Sequence, residues 1–218
     1  MRKTSCRRCR FCESEGRSTK ENYIIAAFRG TVAQRFPEQS VELNRLLDEK
    51  LSRLRSEHLS ASKEKQFHLE SQILPGIAAY ETLQSVMPKD EALQSVHGYV
   101  AEHALTMRKI ILKLLKVPGL YRLPPMLFSK LTPKFYGATA GFAATEYQTS
   151  GGVWRIDMTR CPYHDTCVEH GCIELCPCFC DSDDIAYDDL HPKLVWHRTK
   201  TLGRGNDCCD FCLKLADK

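Results

Sequence analysis

The chain has 218 residues, 43% of them hydrophobic and 27% charged, with a formal net charge of +4. That length can bury a sizeable core, and the composition is that of a globular protein rather than a disordered one. The charge excess is too small to point to nucleic acid, and no run of about eighteen apolar residues offers a membrane span.

The first seventeen residues, "MRKTSCRRCRFCESEGR", form a separate basic segment. Cys6, Cys9 and Cys12 make two CxxC spacings that share a cysteine, amid Arg7, Arg8 and Arg10. Neighbouring cations favour thiolate, so this trio is a candidate ligand set for zinc or an iron–sulfur cluster. The segment is basic but has no apolar h-region, so no export signal is expected. Twelve cysteines without such a signal suggest reduced thiols, metal ligands or catalysis in a cytoplasmic protein, not a disulfide framework.

From residue 18 onward one domain is expected, with a helical part over 18–134 and a sheet and site part over 135–218. Ser18 and Glu21 have capping-box spacing ahead of a first helix, "ENYIIAAFRGTVAQRF". Leu43, Leu47, Leu51 and Leu54 stripe a second, highly charged helix. A third places Ile73, Ile77, Tyr80 and Leu83 near one face, and Pro75 should start or kink it. The fourth steps from Leu93 through Val96, Val100, Ala104, Met107 and Ile111 to Leu114, and Pro118-Gly119 stops it. These stripes are core positions by pattern. The stretch from Arg108 to Gly137 mixes Lys and Arg with Leu, Ile and Phe, as interfacial helices do. Burial against the sheet is the commoner fate of such residues, and contact with a membrane surface is the other reading.

From Trp154 the period becomes two. "VWRIDM" alternates Trp154, Ile156 and Met158 with Arg155 and Asp157, and "LVWHRTKTL" puts Val195, His197, Thr199 and Thr201 on one face. Helices first and strands later predict an α+β fold, with the helical part packed on a small C-terminal antiparallel sheet and a cysteine-rich region. The polar face of the second strand either lines a site or meets solvent.

Between those strands lies "GCIELCPCFCDSDD", Gly171–Asp184, with four thiols and four carboxylates. Pro177 suits the first turn of a helix, which would set Asp181, Asp183 and Asp184 near its positive end; the same dipole favours thiolate at Cys180, and the neighbouring carboxylates oppose it. Cys161 and Cys176 are further candidate metal ligands. A cysteine-rich zinc or iron–sulfur module with a sensing or redox role is therefore one functional reading.

The other comes from a resemblance. "RCPYH" (Arg160–His164), Glu174 in "CIEL", "CDSD" (Cys180–Asp183) and "RTKTLGRGNDCCDF", with Arg198, Gly205 and Cys209-Asp210-Phe211, are similar to the L-2-amino-thiazoline-4-carboxylic acid hydrolase family. "ILPGIAAYETLQSVMPKDEAL" resembles it too, and the likeness covers about residues 67 to 212. It implies hydrolytic opening of a small, carboxylate-bearing cyclic amidine, with water adding to the C=N carbon and the ring thiolate leaving. On that reading Cys180, Asp183, Cys209, Asp210 and His164 are the catalytic candidates. Arg198, Glu174 and Thr199 would hold the substrate. Zinc or an iron–sulfur cluster is the cofactor such a cysteine set would take, and the sequence leaves the oligomeric state open.

Overall fold

Helix α1 (Tyr23–Arg35) opens on Asn22, whose side-chain oxygen accepts the Ile24 N–H. Asn22 is the N-cap of this helix. The computed structural model describes residues 21–147 and 151–216, so Ser18, Cys6, Cys9 and Cys12 lie outside the described residues. Helix α2 (Ser40–Glu57) buries Leu43, Leu47, Leu51 and Leu54 against α1 and the next long helix.

That helix is continuous in path but not in hydrogen bonding. It runs as α3 (Lys63–His68), a π turn over Leu69–Ile73, and α4 (Leu74–Leu83). Pro75 has no N–H to give back to the preceding turn, and the widened turn sits directly ahead of it. The expected kink is therefore a π bulge. Helix α5 (Lys89–Leu115) buries Val96, Val100 and Ala104 as its stripe predicts, but Met107 and Leu114 are exposed. The lower end of α5 belongs to a different cluster, in which Ile111, Leu112 and Leu115 pack beneath the sheet.

Helix α6 (Pro124–Phe135) leads to strand β1 (Ala143–Glu146) and strand β2 (Val153–Arg160). Two short helices follow before the chain returns to the sheet: α7 (Pro162–Glu169) and α8 (Cys176–Tyr187). Strands β3 (Leu194–His197) and β4 (Cys209–Leu215) complete a four-stranded antiparallel sheet in the order β1-β2-β4-β3. The fold is α+β, as the change of period predicts.

The C-terminal part is not all sheet. Cys167, Cys172, Leu175, Cys176, Cys178 and Phe179 join the core of the helical part, and α8 packs along α5. Arg108 of α5 donates to the Ile185 and Asp189 carbonyls, which ties the two helices at the α8 C-terminus. Gly76 permits the close crossing on the other side, since a Cβ there would stand 2.6 Å from the Phe179 ring. These contacts set α8 across one face of the sheet.

Strand alternation decides which side chains that face carries. Trp154, Ile156 and Met158 of β2 lie beside Leu213, Phe211 and Cys209 of β4, with Leu194 and Trp196 of β3 completing the layer. Val195 and His197 point to solvent. Of the two readings of that polar face, contact with solvent is the one found at Val195 and His197, and the opposite face of β3 supplies the wall.

Candidate active site

A cavity of about 150 Å³ lies between the inner face of the sheet and helices α6, α7 and α8. A protein cavity of about that size holds one benzene ring, so a single small ring is the scale of ligand it fits. Its walls are aromatic: Phe142, Trp154, Phe179, Trp196 and Phe211, with Phe128 of α6. Into this apolar shell project Asp183, Arg198 and the thiols of Cys161, Cys180 and Cys209, with the phenols of Tyr136, Tyr163 and Tyr187. Gln72 enters from the π turn.

Arg198 organises the charged edge. Its side chain is 1% exposed, its guanidinium lies 5.3 Å over the Phe211 ring, and it donates to Asp183 at 3.3 Å and to the Cys180 carbonyl at 2.8 Å. It also pairs with Asp184, whose other oxygen accepts the Trp196 indole N–H at 2.8 Å. A planar fork facing two carboxylates and a carbonyl is an arrangement only Arg provides. Its positive charge is already answered within the protein. Among the described residues Arg198 is the only Lys or Arg in the cavity wall, so there the expected grip on a substrate carboxylate has no uncommitted cation behind it.

Asp183 is the group left with capacity. Burial pushes its carboxyl up to about 6, with Arg198 pulling it down and Asp184 pushing it further up. Its side chain keeps 38% of its surface accessible, and that surface is the cavity wall: reachable by a small molecule, yet walled in by protein. A carboxyl that titrates near neutrality and faces a cavity is suited to proton transfer.

The thiols are in the opposite condition. Cys180 is held neutral, first by its hydrogen bond with Cys176 and then by burial. Burial pushes Cys209 up to about 11, although the Leu202 N–H donates to its sulfur at 3.3 Å. Burial raises Cys161 as well, against the N–H groups of His164 and Tyr163. Of the two opposed influences expected at Cys180, the helix dipole does not prevail, and the thiol stays neutral. Helix α8 begins at Cys176, so Cys180 sits in its second turn, beyond the reach of the terminal dipole. Side-chain hydrogen bonds link Cys172, Cys167, Cys176 and Cys180 in a line from the helical core to the cavity. Gly203 makes room for its end: a Cβ there would lie 3.0 Å from both the Cys176 and Cys180 sulfurs.

Of the catalytic and substrate-binding candidates, the structure brings together Cys180, Asp183, Cys209 and Arg198 and leaves the other four outside the cavity wall. Asp210 follows Cys209 on a strand, so its side chain points to the other face. There it accepts from the Thr199 N–H at 2.8 Å, the Thr199 hydroxyl at 2.6 Å and the Lys200 N–H at 2.6 Å. Burial pushes that carboxyl up, but these bonds outweigh it and hold the pKa below the usual range. Asp210 and Thr199 thus shape the link from β3 to β4, where Gly205 takes φ 80°. Glu174 accepts from Tyr80 at 2.8 Å and pairs with Lys89 at 2.8 Å, joining the cysteine-rich stretch to α4 and α5. His164 has Asp165 for a neighbour at 3.6 Å.

As for metal, one set of three ligand groups comes within 4.8 Å throughout among the described residues, and it is His58, Glu169 and His170. Neither Cys161 nor Cys176 belongs to it.

Sequence reasoning missed Gln72 and the three tyrosines. Pro75 marks the bulge that aims Gln72; nothing in the pattern marks the tyrosines. His68 was missed as well. Its Nε2–H donates to the Phe135 carbonyl at 2.7 Å, leaving Nδ1 to accept the Tyr163 hydroxyl at 3.2 Å. Burial lowers its pKa, so a neutral imidazole sets the phenol in the wall.

Residues 66–213 match the sequence model of the L-2-amino-thiazoline-4-carboxylic acid hydrolase family. No curated protein matches the chain. The match takes in every cavity residue named above and well over half of the sequence, and the chain belongs to that family.

Proposed function

We propose that this family member hydrolyses a small cyclic amidine, of the 2-amino-thiazoline-4-carboxylate kind, with Asp183 as the group that moves protons. The observation that carries the reading is a carboxyl that faces an aromatic cavity the size of one ring, where burial pushes its pKa up to about 6. An amidine presents two N–H groups in the spacing a carboxylate accepts. The aromatic walls would hold a flat heterocycle by its faces.

In the reaction, water oxygen bonds to the carbon between nitrogen and sulfur. Ionised Asp183 takes one proton from that water and returns it to the ring nitrogen. The carbon–sulfur bond then breaks, the sulfur leaves with the second water proton, and the product is an N-carbamoyl-cysteine. Substrate plus one water accounts for every atom. Cys180 and Cys209, neutral at rest, suit hydrogen-bond donation to the departing sulfur better than attack on the carbon. With Arg198 committed to Asp183 and Asp184, the substrate's own carboxylate would point to the cavity mouth.

The test is incubation of the reduced full chain with 2-amino-thiazoline-4-carboxylate, in metal-free and metal-supplemented buffer, following a product one water heavier by mass. Turnover in the parent that Asp183→Asn lowers by about 10²–10⁴-fold is the expected result. No product under either condition, or equal turnover in the variant, would overturn the reading.

A further inference from the structure

Helices α2 and α7 end at the same place, and each ends in histidine. His58 follows the last residue of α2, and His170 follows the last residue of α7. Their Nε2 atoms face each other at 3.0 Å. His58 is 6% exposed and the His170 side chain 9%, so both rings are withdrawn from water. The Glu169 carboxylate completes a set whose ligand atoms all lie within 4.8 Å of one another. Behind His170, on the Nδ1 side, stands Glu57 at 3.9 Å.

We propose that His58, Glu169 and His170 form a binding site for a divalent transition-metal ion of the zinc class, which braces α2 against α7. Four features support it. Two imidazole nitrogens bound tetrahedrally to zinc stand about 3.3 Å apart, so the rings need to part by only a few tenths of an ångström. A carboxylate behind a ligating histidine is the usual outer partner that sets the ring's orientation. Two helix C-termini and two carboxylates make the spot favourable for a cation. Finally, the backbones on either side are held: Gln66 donates to the His58 carbonyl at 2.6 Å, and the His170 N–H closes on Thr166 at 3.0 Å.

Two protein nitrogens and one carboxylate leave a fourth position for water. Imidazole with carboxylate suits zinc, cobalt or nickel rather than calcium or magnesium. His58 and Glu57 precede the matched residues 66–213, so the family match does not imply the site. None of the three ligands lines the cavity. Tyr163, however, is on α7, so the brace would steady the helix that carries a wall residue.

Cobalt(II) separates this site from any thiolate site by its spectrum, because thiolate ligands add a near-ultraviolet sulfur-to-metal charge-transfer band. Titration of the chelator-treated, reduced full chain should reveal one equivalent bound with visible ligand-field bands and no accompanying charge transfer. His170→Asn and Glu169→Gln should lose that equivalent while keeping their far-ultraviolet circular dichroism in chelator. Glu57→Gln should weaken it by about 10-fold, the low end for an outer partner. Zinc should raise the melting temperature of the parent and not of His170→Asn, by mass action on the folded state. Two results would overturn the proposal. One is a parent whose cobalt appears only with charge-transfer intensity, or not at all. The other is variants that bind the same equivalent with parental affinity, which would leave the pair as an ordinary N–H···N hydrogen bond.

Discussion

The helical bundle and the sheet-side cavity place their ions in opposite positions. In the bundle, Leu47, Leu54, Ile73, Ile77 and Leu83 are fully buried, and most salt bridges lie on the outside, with Lys50–Glu81 the half-buried exception. Arg55–Glu70 and Arg45–Glu42 are typical, with every partner at least 40% exposed. Under the sheet the aromatic side chains stop short of filling the space, and Arg198 and Asp183 face inward, with Asp184 pairing with Arg198 from outside the cavity wall. The first arrangement gives stability from packing and solubility from charge. The second keeps a carboxyl away from its ordinary titration range, which a fold pursuing stability alone would avoid.

Exchange of Asp183 for Asn should separate the two regions most sharply. Loss of one acid–base group should lower kcat by about 10²–10⁴-fold. In the parent, the ionised carboxylate is the working form, so kcat/KM should fall as pH drops through about 6, and the variant should lack that limb. The stability effect has its own sign. The native pKa is raised from 3.8 to about 6, so the folded state binds the proton more tightly. Parent stability should decline as pH climbs across that interval and level off above it. An Asp183→Asn variant with the same pH profile of stability would show that this carboxyl is not held as described.

Leu47→Ala tests the other region. Emptying a fully buried site should cost about 2–5 kcal/mol in chemical denaturation, with kcat per folded molecule unchanged. A fall in kcat would mean that the bundle and the cavity are coupled. Arg198→Met should act on both counts. It leaves two carboxylates without their cation, at about 3 kcal/mol, the low end for a broken buried pair because both acids keep some access to water. Without the guanidinium the Asp183 pKa should rise further, moving the acid limb of kcat/KM to higher pH. Gly203→Ala presses a methyl on the Cys176 and Cys180 sulfurs, and about 1–3 kcal/mol of overpacking is expected by thermal melting. Arg55→Ala, at an exposed bundle pair, should leave the melting midpoint where it was. A larger loss there than at Arg198 would reverse the comparison.

Much of the fold was legible because it rests on local repetition. The four leucines of α2 and the alternation of Trp154, Ile156 and Met158 declare a buried face in the amino-acid order itself. Adjacency was also enough to exclude Asp210 from the cavity once Cys209 was placed on an inner strand face. The solvent-side end of α5 was not legible, since Met107 and Leu114 keep the helical period after the bundle that would cover them has ended.

The site divides along the same line. Cys180, Asp183, Arg198 and Cys209 are recognisable as a set from the order of residues and the family they resemble. What the order could not decide is their condition. Neutral thiols, a carboxyl near neutrality and an arginine already paired all follow from burial and from partners brought in by distant elements. The same holds for His58 and His170, which are 112 residues apart and meet only because α2 and α7 end together. Electrostatic environment is set by what lies within a few ångströms in space, and only the tertiary fold brings those neighbours there.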